Sequence, residues 1–162
     1  MAELTTLDDK LAEVLGLAMA SQTVVDKVEK LVDEDDVVDT LARMKEEAEE
    51  TERRCTEIAD AQNGKKTAIL DKARETKSEA TEMMQTYLGD DADGLDGFEF
   101  LTMAEAGEVG HWAILGKLNE QANDQKIKEL VDWALPIQEQ HFSTVRECSL
   151  QLAAMEDPNS PA

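Results

Sequence analysis

Apolar residues recur at alternating steps of three and four along most of this 162-residue chain, and that spacing constrains the fold more than any other feature. Because an α-helix has 3.6 residues per turn, the spacing places the apolar side chains on one helix face. The first track consists of Leu7, Leu11, Val14, Ala18, Val25, Val28 and Val32. Prolines and glycines are few, at three and eight, and aromatic residues make up 4%. Pattern and composition together predict an all-α protein.

Five helices are predicted, over residues 6–32, 36–62, 66–87, 97–120 and 124–156. Pro136 is expected to kink or break the fifth, because proline lacks the N–H that helix bonding requires. Short turns join the first helix to the second and the fourth to the fifth, and the third helix lies between these pairs. We therefore expect one domain over residues 1–156, an antiparallel four-helix bundle with an additional crossover helix packed outside it. Residues 157–162 are expected to form a frayed tail.

The stretch GDDADGLDGFEF, before the fourth helix, has the acidic and glycine-rich look of a calcium-binding loop. Its register is wrong, however. If Gly94 takes the turn position, Gly89 and Phe100 fall where the loop requires acidic ligands. We interpret the stretch instead as a loop that ends in a capping box, with Asp96 as the N-cap and Glu99 three residues later.

The net charge of −21 excludes several classes of partner. A nucleic-acid-binding protein needs a basic surface to neutralise phosphates, and an anionic membrane would repel this chain, so neither partner is expected. The acidic N-terminus MAELTTLDDK has no apolar core of a signal peptide, and we expect a cytoplasmic protein. Cys55 and Cys148 both fall on apolar tracks and are interpreted as reduced core thiols.

Polar residues interrupt the inward tracks of the fourth and fifth helices at one place. The fourth track carries Glu105 and Glu108 between apolar positions, with His111 on its shoulder. The fifth track carries Gln138 and His141, three residues apart. If the turn between these helices is centred near Asn123, Glu108 is level with Gln138 and Glu105 with His141. A buried charge costs several kcal/mol unless it is paired or coordinated, so this convergence needs an explanation.

Two interpretations of the convergence remain open. One is a purely structural network, in which His141 bonds to Glu105 and Gln138 to Glu108. The other is a metal site, whose imidazole and carboxylate ligands would suit Zn, Fe or Mn. The first two helices point Ser21 and Thr51 inward, with Ser21 roughly level with Glu47, which lies on a shoulder, and Thr51 one turn beyond Glu47.

Glycines at positions 107, 110 and 116 lie inside the fourth helix, where each costs up to ~1 kcal/mol relative to alanine. The simpler explanation is close packing against a neighbouring helix. The alternative is a local loosening of the helix, or access to its backbone, near the polar cluster.

The stretches EEAEETERRCTEIAD, AEAGEVGHWAILGKL and ALPIQEQHFSTVREC resemble the ferritin-like superfamily, in particular small bacterial, rubrerythrin-related proteins linked to stress responses. The resemblance implies a centre of two iron or manganese ions. In that superfamily two helices each supply one Glu, and the other two each supply a Glu-x-x-His motif.

The ligand set that this resemblance implies is incomplete. Glu108-x-x-His111 matches the motif on the fourth helix, and His141 matches the histidine of the fifth, but Gln138 stands where Glu is expected. The first two helices offer no certain carboxylate. The implied metal site is therefore reduced or lost, and ferroxidase or peroxidase activity lacks its full ligand set. The candidate ligands are Glu47, Glu105, Glu108, His111, Gln138 and His141.

Two functions follow as hypotheses. The first is a ferritin-like protein that retains a metal ion at a degenerate site and is associated with a stress response. The second is a non-catalytic helical module that dimerises or binds a protein partner. For the second, the candidate surface is the pair Met83 and Met84 on the thin apolar stripe of the third helix.

Overall fold

The computed structural model describes residues 2–161. Five helices make up the fold: α1 (Thr6–Glu29), α2 (Asp35–Ala61), α3 (Lys66–Tyr87), α4 (Gly94–Ala122) and α5 (Gln125–Ala154). No strand occurs in this described part of the chain, so the all-α prediction is confirmed. Position 162, the last of the predicted tail, lies outside the described residues, as does position 1; residues 155–161 are exposed and follow the last helix.

Helices α1, α2, α5 and α4 contact one another in a closed ring, in that order. The short loops after α1 and after α4 make each of those pairs antiparallel. The first half of α1 shares a core cluster with the last part of α4, and the end of α2 shares the same cluster with the start of α5, while the opposite ends of these helices share the other cluster. The other two neighbouring pairs are therefore antiparallel as well. Helix α3 packs mainly on α1, outside this ring.

Capping fixes where α1 and α4 begin. Thr5 and Asp8 form a reciprocal capping box at α1, and Asp93 and Asp96 form one at α4. Helix α4 therefore starts three residues before the predicted position, and the prediction of Asp96 as the N-cap was wrong. Asp96 instead occupies the third helical position, where its carboxylate accepts from the backbone N–H of Asp93 at 3.0 Å.

The predicted end of the first helix and the predicted break at Pro136 were also wrong. Helix α1 ends at Glu29, and Val32 lies beyond it, although its side chain is buried. Helix α5 runs unbroken through Pro136, whose ring is exposed at the protein surface. Because proline has no N–H, the carbonyl of Asp132 has no helical donor four residues later, but the turns on either side keep the helix continuous.

The predicted inward tracks of α2, α4 and α5 are buried at every position. The apolar residues of these tracks, together with apolar residues of α1 and α3, form two separate clusters. One cluster, at the end of the molecule where α1 begins, includes Leu11, Leu15, Cys55, Ile69, Trp112 and Leu115. The other, at the opposite end, includes Val28, Leu41, Phe98, Leu101, Val145 and Cys148. The two cysteines are free, buried and in different clusters.

The contact between α1 and α3 is closest at Gly16. A Cβ built there would lie 2.4 Å from the carbonyl oxygen of Ala73 and 2.7 Å from Cβ of Thr76. At the N-terminal ends of the same helices, Lys65 Nζ donates to the buried carboxylate of Asp8 at 2.6 Å. Together these contacts fix the N-terminal half of α3 against α1.

None of the helices in residues 2–161 combines the length and the apolarity that crossing a membrane would require.

Candidate functional site

A polar cluster separates the two apolar clusters of the core. On α4, Glu105 and Glu108 lie between Leu101 and Trp112, and only 1% of Glu105 is exposed. On α5, Gln138 and His141 lie between Ala134 and Val145 and are equally buried. Ser21 of α1 and Thr51 of α2 are buried as well.

Gln138 joins the two carboxylates of α4. With its amide nitrogen facing them, it donates to Glu105 Oε2 and to Glu108 Oε2, both at 3.1 Å. Both N–H groups of the amide are then used, and one oxygen of each carboxylate is satisfied. The hairpin register that placed Glu108 level with Gln138 is confirmed.

His141 lies between carboxylates of two helices. Its Nδ1 is 3.7 Å from Glu105 Oε2 of α4, and its Nε2 is 3.4 Å from Glu47 Oε2 of α2. Within the described part of the chain, Nε2 is buried without a hydrogen-bond partner of normal length. Glu47 itself is partly exposed, and its other oxygen lies 3.8 Å from Arg43 Nε. The imidazole therefore has a carboxylate on each side.

The electrostatics of the cluster favour a protonated Glu108. Burial, and then the charge of Glu105 beside it, raise the pKa of the Glu108 carboxyl well above its ordinary value of 4.5. Even with Glu108 neutral, two carboxylates remain around a single imidazole. The cluster therefore carries at least as much negative as positive charge.

His111 pairs with α1 and not with this cluster, although it lines the same surface cavity as Glu105 and Glu108. Its Nδ1 is 3.2 Å from Glu13 Oε2 of α1, and its side chain is 40% exposed. Glu13 in turn accepts from Lys10 Nζ at 2.7 Å. The structure thus brings together five of the six candidate ligands and places His111 in a surface network. Sequence reasoning did not find Glu13, because an acidic residue on an acidic helix carries no distinguishing signal.

A cavity of about 190 Å³ leads from the surface to Glu105 and Glu108. It opens where α1, α3 and α4 meet, and its walls are mostly apolar, including Leu17, Val24, Phe100 and Leu101. The mouth is formed by Met83, Met103 and Gly107. The buried carboxylates are therefore connected to solvent through an apolar opening.

The glycines of α4 differ from one another. A Cβ at Gly116 would lie 3.0 Å from Val131 of α5, as the close-packing interpretation predicts. A Cβ at Gly107 or at Gly110 would meet no atom of residues 2–161 within 4 Å, so the packing interpretation is wrong for these two. Both face open space, and Gly107 lines the cavity mouth.

The cluster is not a preformed metal site. Among residues 2–161, no three His, Cys, Asp or Glu side chains are arranged to hold one ion. The geometry gives the reason: Glu47 lies on the Nε2 side of His141, Glu105 lies on the Nδ1 side, and the amide nitrogen of Gln138 occupies the space between Glu105 and Glu108.

A comparison of the chain with models of known protein families finds no match, and neither does a comparison with curated proteins. Any function must therefore be inferred from the side chains of the cluster and from the surface of the helices.

Proposed function

We propose that this protein is a ferritin-like helical bundle whose two-ion centre is reduced to a site for one divalent metal ion. Glu105, Glu108, the carbonyl of Gln138 and Nδ1 of His141 would supply the ligands. Iron, manganese and zinc are the candidate ions, because carboxylate, amide oxygen and imidazole ligands suit them.

The proposal rests on the short distances between the Gln138 amide and the carboxylates of Glu105 and Glu108. A half-turn of this amide would place its oxygen where its nitrogen lies, 3.1 Å from Glu105 Oε2 and from Glu108 Oε2. Oxygens about 3 Å apart are what a six-coordinate ion with metal–oxygen distances of ~2.1 Å requires. The hydrogen-bonding amide of the metal-free protein and the ligating amide of the loaded protein would thus differ by one rotation.

Glu47 would act as a positioning residue rather than a ligand. Turning the His141 ring so that an Nε2–H donates to Glu47 Oε2, now 3.4 Å away, would leave the Nδ1 lone pair free on the side of Glu105. Histidines that bind metals commonly donate their other nitrogen to a carboxylate in this way. The ion would also balance the negative charge of the buried carboxylates.

The ferritin-like part of the proposal is supported by the arrangement of the helices. Four helices contact in a ring of antiparallel neighbours, and the connection between the two pairs carries a helix outside that ring. The polar cluster lies midway along the ring, where such proteins place their ions. Gln138, Ser21 and Thr51 stand where carboxylates would complete a second ion site, so a single ion is proposed.

The proposal is tested by stripping the protein with a chelator and titrating Mn²⁺, Zn²⁺ or, without oxygen, Fe²⁺ by calorimetry. We expect binding of one ion per chain and a rise in the melting temperature. The stabilisation should be about 2.7 kcal/mol when free metal is one hundred times the dissociation constant.

Two substitutions locate the site. His141→Ala should abolish binding, whereas His111→Ala, which removes the only other histidine, should leave it intact. Gln138→Glu should tighten binding, because it adds a charged oxygen between Glu105 and Glu108. Absence of stoichiometric binding would overturn the proposal, and so would binding that His141→Ala retains or that Gln138→Glu does not strengthen.

A further inference from the structure

The outward side of α4 is uncharged over four turns. Its exposed positions between residues 100 and 116 are Met103, Ala106, Gly107, Gly110, Ala113 and Ile114, and we refer to these residues as the α4 outer face. Met103 is 40% exposed and Ile114 is 48% exposed. One third of the residues in the whole chain are charged, so an uncharged stretch of this length on the surface is unusual for this protein.

Exposed apolar residues of α3 extend this surface. Met83 is 52% exposed, and it lies with Met103 at the cavity mouth. Tyr87 is 60% exposed, and its ring packs against Phe100 of α4, with the ring centroids 5.8 Å apart. Met84, the other half of the predicted methionine pair, is buried. The apolar surface is therefore centred on α4 and not, as expected, on α3.

The α4 outer face is symmetric along its own length. Met103 and Ile114 lie at equal distances in sequence from the point between Glu108 and Val109, and so do Gly107 and Gly110. Glu99 and Lys117 lie on the same side of the helix, at opposite ends of the face. Two copies of α4 packed antiparallel about this midpoint would place Met103 against Ile114 and glycine against glycine, and would bring Glu99 to within one residue, about 1.5 Å along the axis, of the level of Lys117 of the other copy.

We propose that the α4 outer face is the interface of a homodimer, in which α4 of a second copy lies antiparallel on it. Such a pairing uses the same patch on both copies, as a two-fold axis requires. Since a Cβ at Gly107 or Gly110 would meet no atom of residues 2–161 within 4 Å, the glycines leave room for a close approach of another helix.

The charge distribution restricts the pairing of two copies to the α4 outer face. Two copies of a chain with a net charge of −21 repel each other on most of their surfaces. The α4 outer face is an uncharged area bounded by one acid and one base. In the antiparallel arrangement these two residues make complementary pairs at both ends. Lys117 is 76% exposed and is engaged only with Glu120 of its own helix, which leaves it accessible.

The first test measures the molecular mass of the full chain by light scattering and sedimentation, with a chelator present so that metal binding plays no part. Wild-type protein should be a dimer that dissociates on dilution. Gly107→Glu should weaken the dimer by at least about a hundredfold, because it places a carboxylate in the centre of an apolar interface. A Cβ at this position meets no atom of residues 2–161 within 4 Å and points to open space, so circular dichroism should show an intact fold.

Leu150→Glu is the matched control. Leu150 is 62% exposed on α5, outside the α4 outer face, so the same carboxylate there should leave the dimer unchanged. A wild-type protein that is monomeric at high concentration would overturn the proposal. A dimer that both substitutions weaken equally, or that neither weakens, would overturn it as well.

The second test addresses the antiparallel register. Glu99→Lys and Lys117→Glu should each weaken the dimer, by about tenfold at low salt, since each places like charges opposite each other at both ends. The double variant restores opposite charges and should regain the wild-type dissociation constant. If the double variant is as weak as the single ones, the two helices do not pair in this register and the proposed interface is wrong.

Discussion

Replacing Gly16 by alanine should destabilise the protein, whereas the same change at Gly107 should stabilise it. Both glycines lie inside long helices, so alanine improves the intrinsic helix propensity at each by up to ~1 kcal/mol. They differ in what surrounds the new methyl group. At Gly16 it would lie 2.4 Å from the carbonyl oxygen of Ala73, whereas at Gly107 it meets no atom of residues 2–161 within 4 Å.

The cost at Gly16 follows from the atoms that the methyl group meets. The oxygen of Ala73 is a backbone atom, and Cβ of Thr76 is bonded directly to the backbone. No change of rotamer can therefore relieve the contact. An ordinary carbon–oxygen contact would require α1 and α3 to move apart by about 1 Å, and overpacking of this kind costs about 1–3 kcal/mol or more. Because contacts of 2.4 and 2.7 Å are severe, we take the upper end of this range, and after the gain in propensity is subtracted we expect a net loss of about 2 kcal/mol.

The two substitutions are compared by urea and thermal unfolding of dilute, metal-free protein. At about 2–4 °C per kcal/mol for a chain of this size, Gly16→Ala should lower the melting temperature by about 4–8 °C. Gly107→Ala should raise it by about 2–4 °C. The reasoning is refuted if Gly16→Ala is as stable as the wild type, because α3 would then not be held against α1 at this point.

Three further predictions concern Asp8, Pro136 and Cys55. Burial opposes ionisation of Asp8, but hydrogen bonds, chiefly from Lys65, outweigh it and lower the pKa of Asp8 below 3.8. Above pH 4, the free energy of unfolding in urea should therefore be about 1–2 kcal/mol higher for the wild type than for Asp8→Asn. This difference should disappear as the pH falls through the lowered pKa of Asp8. Pro136→Ala should raise the free energy of unfolding by about 1–2 kcal/mol, because it restores a donor for the Asp132 carbonyl in a continuous, exposed turn. Burial raises the pKa of the Cys55 thiol, so a thiol reagent should label Cys55 only under unfolding conditions, as mass spectrometry of the labelled peptide would show.

Periodicity was sufficient to predict most of the fold. The positions that recur every three or four residues in α2, α4 and α5 are buried without exception, and α3 has the predicted boundaries. Errors occurred where a choice depended on tertiary contacts. The loop before α4 offers several acidic residues that can cap a helix, and the first helical residue after Asp93, Gly94, packs against Leu31 and Val32 beyond the end of α1.

The level of the candidate site along the helices could be predicted from the sequence, but its individual side-chain contacts could not. Counting from the turn at Asn123 placed Glu105 beside His141, because inward positions of a helical hairpin have a fixed register. Residues on the shoulders of a helix have no such constraint. His111 reaches to Glu13 of α1 rather than into the core, and Glu47 reaches His141 from a helix that is distant in sequence. The direction of a long side chain at such a position depends on how its helix is rotated about its own axis. The periodicity of the sequence does not define that rotation.

The uneven attachment of α3 has a consequence for motion. Its N-terminal half is fixed to α1 through Lys65, Ala73 and Thr76, whereas every residue from 77 to 83 is exposed or half-buried. Segments with few buried contacts open locally at a small fraction of the global free energy of unfolding. Residues 77–83 of α3, which include Met83 at the cavity mouth, should therefore exchange their amide hydrogens well before the rest of the core. Ions and small molecules can then reach Glu105 and Glu108 on the timescale of this local opening, while the protein as a whole stays folded.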